Sequence, residues 1–137
     1  MATLTARKAI TYTEDDSGVS FAISVSKTKV GRHGYRQVME CGSGVQRRLF
    51  EVASNPNYSK LVFFHVENIG DYDLSVHVVT AGANAEAGVI VPPGRTFELF
   101  NTNHWNDNST SPPTTITEII GQGIGGTAKV KIDAVIA

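Results

Sequence analysis

A chain of 137 residues has the size of one compact domain and is long enough to bury a substantial apolar core. Hydrophobic residues make up 41% and charged residues 18% of the sequence, a balance that argues against an intrinsically disordered chain. The net charge is −1, but residues 1–60 hold nine Lys and Arg against five Asp and Glu, whereas residues 61–137 hold three against eight. This asymmetry favours an interaction surface. A nucleic-acid partner is not expected, because no basic motif is interleaved with aromatic residues.

The apolar residues are mostly branched at Cβ. The sequence contains 15 Val and 10 Ile against 5 Leu, and 13 Thr besides. Such side chains are stiff at χ1 and suit a pleated strand better than a helix, so the composition predicts an all-β chain. The single cysteine, Cys41, allows no internal disulfide. Neither a secretion leader nor an apolar run of membrane-spanning length is evident, so we expect no membrane partner.

The first third of the chain predicts an arm and then strands. Residues 1–8, "MATLTARK", have no clear period and predict a short extended arm that is flexible or bound to a partner. Then "AITYT", "EDDSG" and "VSFAISVS" indicate strand, turn and strand, the last with apolar residues at every second position. The glycine-punctuated "VGRHGYR" predicts a loop, and "QVMEC" and "QRRLFEV" predict short strands.

The stretch "LVFFHVENIGDYDLSVHVV", residues 61–79, predicts a β-hairpin. Its expected register places Val66 opposite Val76 and Phe64 opposite Val78 on the buried side. The same register places His65 opposite His77 on the other face.

The remaining segments predict further strands and loops. In "VIVPPGRTFELFN", Pro93 followed by Gly94 predicts a type II turn between two extended runs. "TNHWNDNSTSPPT" predicts a polar loop, "GQGIGG" a flexible or tight loop, and "TITEII" and "TAKVKIDAVI" predict strands. Nine or ten short strands without an amphipathic helix predict an antiparallel β-sandwich, jelly-roll-like, in which residues 9–137 form a single domain.

Four patterns in the sequence could mark a chemical site, and none is expected to be catalytic or to bind a cofactor. His65 and His77, with Glu67, would be close enough for zinc in the predicted hairpin, but no third ligand is fixed by spacing. The cupin metal motif is absent, since no His-x-His occurs. Residues 121–126 spell G-x-G-x-x-G, yet a strand follows where a dinucleotide site needs a helix. Cys41 is expected to be a small buried hydrophobe.

Glycan binding is an alternative function, because β-sandwiches bind sugars through exposed aromatic side chains and polar loops. The segment "NTNHWNDN" offers His104, Trp105 and several amides, and Tyr58 and Tyr72 lie in other predicted loops. A buried or interface tryptophan is the simpler interpretation of Trp105.

The segments "NYSKLVFFHVENIGDYDLSVHVV", "VIVPPGRTFELFN" and "GTAKVKIDAVIA" give residues 57–137 a resemblance to the small all-β virion proteins of tailed bacteriophages. Among these proteins, the chain is most similar to capsid decoration (cement) proteins. The resemblance implies a virion protein that is made in the host cytoplasm and sits on the capsid surface. Its partners would be the major capsid protein and other copies of itself, with a trimer favoured. No catalytic residue, metal or cofactor comes with the resemblance, and the alternative is a receptor- or glycan-binding tail module.

Three segments are the predicted contact regions of such a protein: Ala2–Lys8 and Gly31–Arg36 towards the shell, and Asn101–Ser111 as a second surface. The candidate contact residues within them are Arg7, Lys8, Arg32, His33, Arg36, His104 and Trp105.

Overall fold

The structure, a computed structural model, describes residues 2–13, 20–31, 33–52, 61–80, 88–100, 104–105 and 114–137. Within these residues the chain forms eleven β-strands and no helix. None of the described segments is therefore a helix of the length and apolar character that crossing a membrane requires. The strands are β1 (Ala2–Thr13), β2 (Ser20–Gly31), β3 (His33–Cys41), β4 (Arg47–Glu51), β5 (Leu61–Asn68), β6 (Asp73–Thr80), β7 (Gly88–Val91), β8 (Thr96–Phe100), β9 (His104–Trp105), β10 (Thr114–Ile124) and β11 (Ala128–Ile136).

Eight of the strands form two four-stranded antiparallel sheets. Sheet I has the order β3-β11-β5-β8, and sheet II has the order β4-β10-β6-β7, with the two-residue β9 pairing with the start of β10. Strands of these two sheets that follow each other in the chain lie in different sheets, with the exception of β6 and β7, which are neighbours in sheet II. This order is that of a jelly roll, so the predicted antiparallel β-sandwich is confirmed.

The core lies between the two sheets and is built from alternate residues of each strand. In β11, Val130, Ile132 and Ile136 are buried with Ala128 and Ala134, whereas the residues between them are not. This is the inner face that the alternation of "TAKVKIDAVI" predicts. The four residues predicted to be buried in β5 and β6 are also confirmed, each at most 3% exposed: Phe64, Val66, Val76 and Val78.

The predicted hairpin between β5 and β6 is wrong, because these strands lie in different sheets. Val66 pairs with Ile132 of β11 on one side and Phe97 of β8 on the other. Val76 pairs instead with Gly121 and Val89 in sheet II. The physical reason is that a strand with one apolar face alternates identically whether it continues into a hairpin or crosses to the opposite sheet.

Asn68 holds the crossing between β5 and β6 in place. Its side chain is fully buried at the end of β5. The amide Nδ2 donates to the carbonyl oxygens of Tyr72, 2.7 Å away, and Val91, 2.9 Å away. The Oδ1 atom accepts a hydrogen bond from the Gly70 N–H at 3.1 Å. One side chain thus connects the crossing segment to the end of β7.

The turn between β7 and β8 is the second connection at this end of the sandwich. Gly94 has φ of 75°, and the Arg95 N–H donates to the Pro92 carbonyl at 3.0 Å. A positive φ at Gly94 is what a type II turn after Pro93 requires. The Gly94 N–H also donates to the Asn68 carbonyl at 2.8 Å, so the two connections are bonded together.

The glycine-rich "GQGIGG" is half strand and half turn, so the prediction of a loop is wrong for its first part. Gly121 and Gly123 lie within β10, and the chain turns only after Ile124. A Cβ atom at Gly123 would overlap the carbonyl oxygens of Gly126 and Cys41. Glycine is required here because three backbone segments approach one another more closely than a side chain allows.

Replacing Asn68 by Ala is expected to lower the free energy of unfolding by about 2–4 kcal/mol. The buried carbonyl group of Val91 and the partly buried carbonyl group of Tyr72 would lose their donor, and the loss of a donor to a buried group costs about 1–3 kcal/mol. Urea denaturation followed by tryptophan fluorescence measures the change. Gln37→Ala, at an exposed site on β3, is the control and should stay within about 0.5 kcal/mol of the wild type. Equal stability of both variants would contradict the role given to Asn68.

Replacing Gly123 by Ala is expected to destabilise the fold by at least about 2 kcal/mol, because the new methyl group meets backbone that cannot move independently. The matched control is Gly34→Ala in β3, where the nearest atom, the Ala134 carbonyl oxygen, is at an ordinary contact distance of 3.9 Å. That variant should be neutral or slightly more stable. Thermal unfolding of the two variants side by side makes the comparison, and a neutral Gly123→Ala would show that the crossing is loose.

Candidate interaction surfaces

The first candidate surface is the β1–β2 ribbon, the two-stranded sheet formed by Ala2–Thr13 and Ser20–Gly31. The strands pair antiparallel over all twelve positions, from Ala2 with Gly31 to Thr13 with Ser20. Among the described residues they pair only with each other. At about 3.4 Å per residue, the ribbon is about 37–40 Å long. Residues 2–8, the predicted arm, are the beginning of β1.

Both faces of the ribbon are open to solvent where its side chains are described. The consecutive residues 7–11 are all exposed, and side chains of neighbouring residues point to opposite faces. The two strands contain Arg7, Lys8, Lys27 and Lys29 and no acidic residue. A two-stranded hairpin without other support is marginally stable in water. The ribbon is therefore a long, basic extension that pairs with no other strand in the described part of its own chain.

The ribbon is attached directly to an edge of the sandwich. β2 ends at Gly31 and β3 begins at His33, so the predicted loop Gly31–Arg36 is wrong: only Arg32, which lies outside the described residues, separates the two strands. His33 pairs with Ile136 near the C-terminus of the chain. The ribbon thus leaves from the first strand of sheet I.

The second candidate surface is a groove of about 340 Å³ along the open side between β3 and β4. β3 has nine residues and β4 only five, so part of the inward side of β3 has no strand facing it. Tyr35 pairs with the buried Ala134 and therefore points inward, yet it remains 38% exposed. Its ring meets Phe50 edge to face, with ring centroids 5.5 Å apart. The groove is lined by Tyr35, Gln37, Met39, Arg47, Arg48, Leu49, Phe50 and Glu51.

Two arginines form the polar rim of this groove and are held in fixed positions. The Arg48 guanidinium donates to Glu118 at 2.6 Å and to Glu51 at 2.8 Å. The hydrogen bond to Glu118 and the charges of both carboxylates raise the pKa of Arg48. Arg47 donates to the carbonyl oxygen of Glu40 at 2.8 Å. An aromatic side chain beside oriented N–H donors is the chemistry that recognises sugar hydroxyls or a peptide backbone.

The third candidate surface is the loop end, the end of the sandwich formed by the connections 42–46, 69–72, 92–95 and 125–127. Two of these connections are bonded to neighbouring strands: the Gly44 N–H donates to the Gly123 carbonyl of β10, and the Ile69 N–H to the Lys129 carbonyl of β11. Gly126 leaves room for the Tyr72 ring, which a Cβ atom there would overlap. Large apolar side chains are nevertheless exposed at this end: Val45, Ile69, Tyr72 and Ile124. Exposed apolar side chains that lie close together are typical of a contact surface.

The structure separates the predicted contact residues. Arg7 and Lys8 are exposed on the ribbon. Arg36 lies in β3 and donates from Nε to Oδ1 of Asp133 at 2.6 Å; this hydrogen bond and the charge of Asp133 raise the pKa of Arg36. Arg32 and most of Asn101–Ser111 lie outside the described residues. Only the backbone is described for His33 in β3 and for His104 and Trp105, which pair as β9 with Thr115 and Thr114.

The two central histidines do not meet. His65 lies in sheet I and His77 in sheet II, each on the outer face, so the predicted opposition of the two rings is wrong. The His65 ring is stacked on Phe63 with centroids 6.3 Å apart. His77 Nε2 is 2.8 Å from the Ser75 hydroxyl. Among the described residues, no three His, Cys, Asp or Glu side chains are grouped as metal ligands.

Cys41 is fully buried at the end of β3, which confirms its prediction as a small core residue. Burial raises the pKa of its thiol, and the charge of Arg47 opposes this effect in part. The site therefore favours the neutral thiol.

Sequence reasoning missed the groove and the exposed part of β7. Val89 and Ile90 belong to a continuous apolar run, which predicts burial, but they are 42% and 51% exposed. The groove follows from unequal strand lengths, which no residue pattern indicates.

Compared with known proteins, the chain matches no protein-family model and no curated protein.

The raised pKa of Cys41 predicts that stability falls at high pH. Below the ordinary thiol pKa of about 9.0 the thiol keeps its proton in both the folded and the unfolded chain, so its burial does not lower the free energy of unfolding. Above it the unfolded chain loses the proton first, and the free energy of unfolding falls by at most about 1.4 kcal/mol per pH unit. Urea denaturation between pH 8 and 10 should show a steeper decline for the wild type than for Cys41→Ala. Parallel curves for the two proteins would contradict the prediction.

Proposed function

We propose that this protein is a structural component of a virion, which decorates a capsid and stabilises the shell through protein–protein contacts. The observation that carries the proposal is the β1–β2 ribbon. It is about 37–40 Å long, pairs with no other described strand, exposes the consecutive residues 7–11 and carries Arg7 and Lys8. A ribbon of this kind gains its stability from a neighbouring molecule, because two strands alone are marginal in water.

The architecture of the remaining chain supports the same function. The sandwich has a continuous apolar core, from Met39 in β3 to Ile136 in β11, which makes it a firm base for the ribbon. The loop end offers a second surface, with Val45 and Tyr72 exposed. Two separate contact regions allow one molecule to bridge two neighbours. A shell repeats each weak contact many times, so that modest individual affinities add up to strong binding.

A receptor- or glycan-binding tail module is the second candidate, and the groove between β3 and β4 favours it. Tyr35 is accessible there, and Gln37 and Arg47 bring polar groups to the same opening. Aromatic and amide groups at the mouth of a groove suit a sugar ring, whose faces are apolar and whose edges are polar.

The decoration proposal is tested on capsids assembled from the major capsid protein of the same virus. The protein should co-sediment with these preassembled shells and raise their melting temperature in differential scanning calorimetry. Reversing two ribbon charges, Arg7→Glu with Lys8→Glu, should weaken shell binding at least tenfold. Lys131→Glu, which reverses a charge on the outer face of sheet I and away from both proposed contact regions, is the control for a change in net charge.

Two results would contradict the decoration proposal. One is the absence of binding to any shell under conditions in which the protein is folded. The other is binding of the protein to a glycan array that is lost in Tyr35→Ala, since this outcome favours the groove as the functional site. The Tyr35 variant should leave shell binding unchanged if decoration is the function.

A further inference from the structure

The outer face of sheet I carries an ordered pattern of charges that the strand register sets. Side chains that lie directly opposite one another form rows across the sheet, in the order β3, β11, β5, β8. The first row is uncharged: Gly34, Val135, Phe63 and Phe100. The second row is charged or ionisable throughout: Arg36, Asp133, His65 and Glu98. The third row has opposite charges at its centre: Val38, Lys131, Glu67 and Thr96.

This face is accessible, and most of its charges have no partner in the described part of the chain. Glu98 is exposed and Val38 is 53% exposed, whereas Lys131 and Glu67 on the two central strands are half-buried. The ion pairs among the described residues include Arg36 of this face with Asp133, but none formed by Lys131, Glu67 or Glu98. These three charges can therefore pair with groups of another molecule.

Two copies of the face match in charge when a two-fold axis relates them that runs parallel to the strands, between β11 and β5. The rotation places β3 of one copy over β8 of the other, and β11 over β5. In the second row Arg36 then meets Glu98 of the second copy. In the third row Lys131 meets Glu67 of the second copy. Each contact occurs twice, because a two-fold interface is isologous.

The remaining central positions agree with the same axis. Asp133 meets the imidazole of His65 in the second copy, and a ring N–H of histidine is a donor that a carboxylate accepts. Val135 meets the ring of Phe63 in the first row, so an apolar side chain lies against an apolar one. The complementarity thus extends over all three rows.

Other positions of the axis give a poorer match. An axis along β11 places Asp133 against Asp133 and Lys131 against Lys131, and such like-charge contacts oppose association. An axis across the strands, midway between the second and third rows, pairs Asp133 with Lys131 but places Arg36 and Glu98 against uncharged side chains. The charge pattern therefore selects the axis between β11 and β5.

We propose that the protein forms a two-fold dimer in which the outer faces of sheet I stack on each other. Four strands and the five residues that span the three rows give a face of about 19 Å by 17 Å. An interface of this size is at the small end for specific complexes, so the dimer is reversible. The charged contacts fix the partner and its orientation more than they add affinity. This contact goes beyond the proposed decoration function and leaves the ribbon free.

The dimer is tested with the full chain in the absence of any shell, by analytical ultracentrifugation and light scattering at tens to hundreds of micromolar. The wild type should be a reversible dimer, whereas the resemblance to decoration proteins implies a trimer. Glu67→Lys and Lys131→Glu each introduce two like-charge contacts and should each weaken the dimer at least tenfold. Asp73→Lys changes a half-buried acidic residue on the outer face of sheet II, so this matched control for Glu67→Lys should dimerise like the wild type. Circular dichroism verifies that every variant is folded.

A mixing experiment identifies the axis. In an equal mixture of Glu67→Lys and Lys131→Glu, both contacts between positions 67 and 131 join a lysine to a glutamate, so dimers should form again. The axis across the strands does not predict this recovery, because position 131 would then meet Asp133. A wild type that is monomeric at hundreds of micromolar or trimeric, folded single variants that dimerise fully, or a mixture that stays monomeric would overturn the proposal. The decoration function is tested separately by shell binding, which Lys131→Glu should retain because its ribbon is intact.

Discussion

The buried amide of Asn68 is the interaction on which the crossing between the two sheets depends. It lies at the point where the chain leaves sheet I for sheet II, and it supplies both donors that the carbonyl groups of Tyr72 and Val91 require. An aspartate would accept hydrogen bonds but could not donate these two, and an apolar residue would leave the buried Val91 carbonyl and the partly buried Tyr72 carbonyl without this donor. The crossing is therefore specified by the chemistry of one side chain rather than by a turn pattern.

The rest of the jelly roll follows from this crossing. Once β5 and β6 lie in opposite sheets, their apolar faces meet across the core, with Phe64 and Val66 on one side and Val76 and Val78 on the other. The second crossing at the same end, from β10 to β11, is held by close backbone approach, since Gly123 lies against the carbonyl oxygens of Gly126 and Cys41. At the loop end, the hydrogen bonds of the Asn68 side chain hold one crossing between the sheets, and the absence of a side chain at Gly123 allows the other.

Residue patterns predicted which side of each strand is buried, but not which strands are neighbours. The alternation of β11 and the buried faces of β5 and β6 were correct, because a period of two is a local property of an extended chain. The pairing of His65 with His77 was wrong, since the same alternation fits a hairpin and a crossing equally well. The pattern of "VGRHGYR" predicts a loop because glycine and charge mark turns, yet its residues from His33 onward belong to the edge strand β3, and edge strands also favour charge. The exposure of Ile90 and the groove at Tyr35 depend on strand order and length, which become visible only in three dimensions.

The edges of the sandwich differ in how far charged side chains protect them. Arg36 and Asp133 form an ion pair across β3 and β11, and Arg48 is held by two carboxylates beside β4. Exposed ion pairs of this kind contribute little to stability, but they keep a strand edge charged and hydrated. β7 has no such protection, and neither the ribbon nor this strand finds a covering partner within the described part of the chain. Within the described residues, the molecule therefore leaves two surfaces without a partner strand, the basic β1–β2 ribbon and the apolar outer edge of β7.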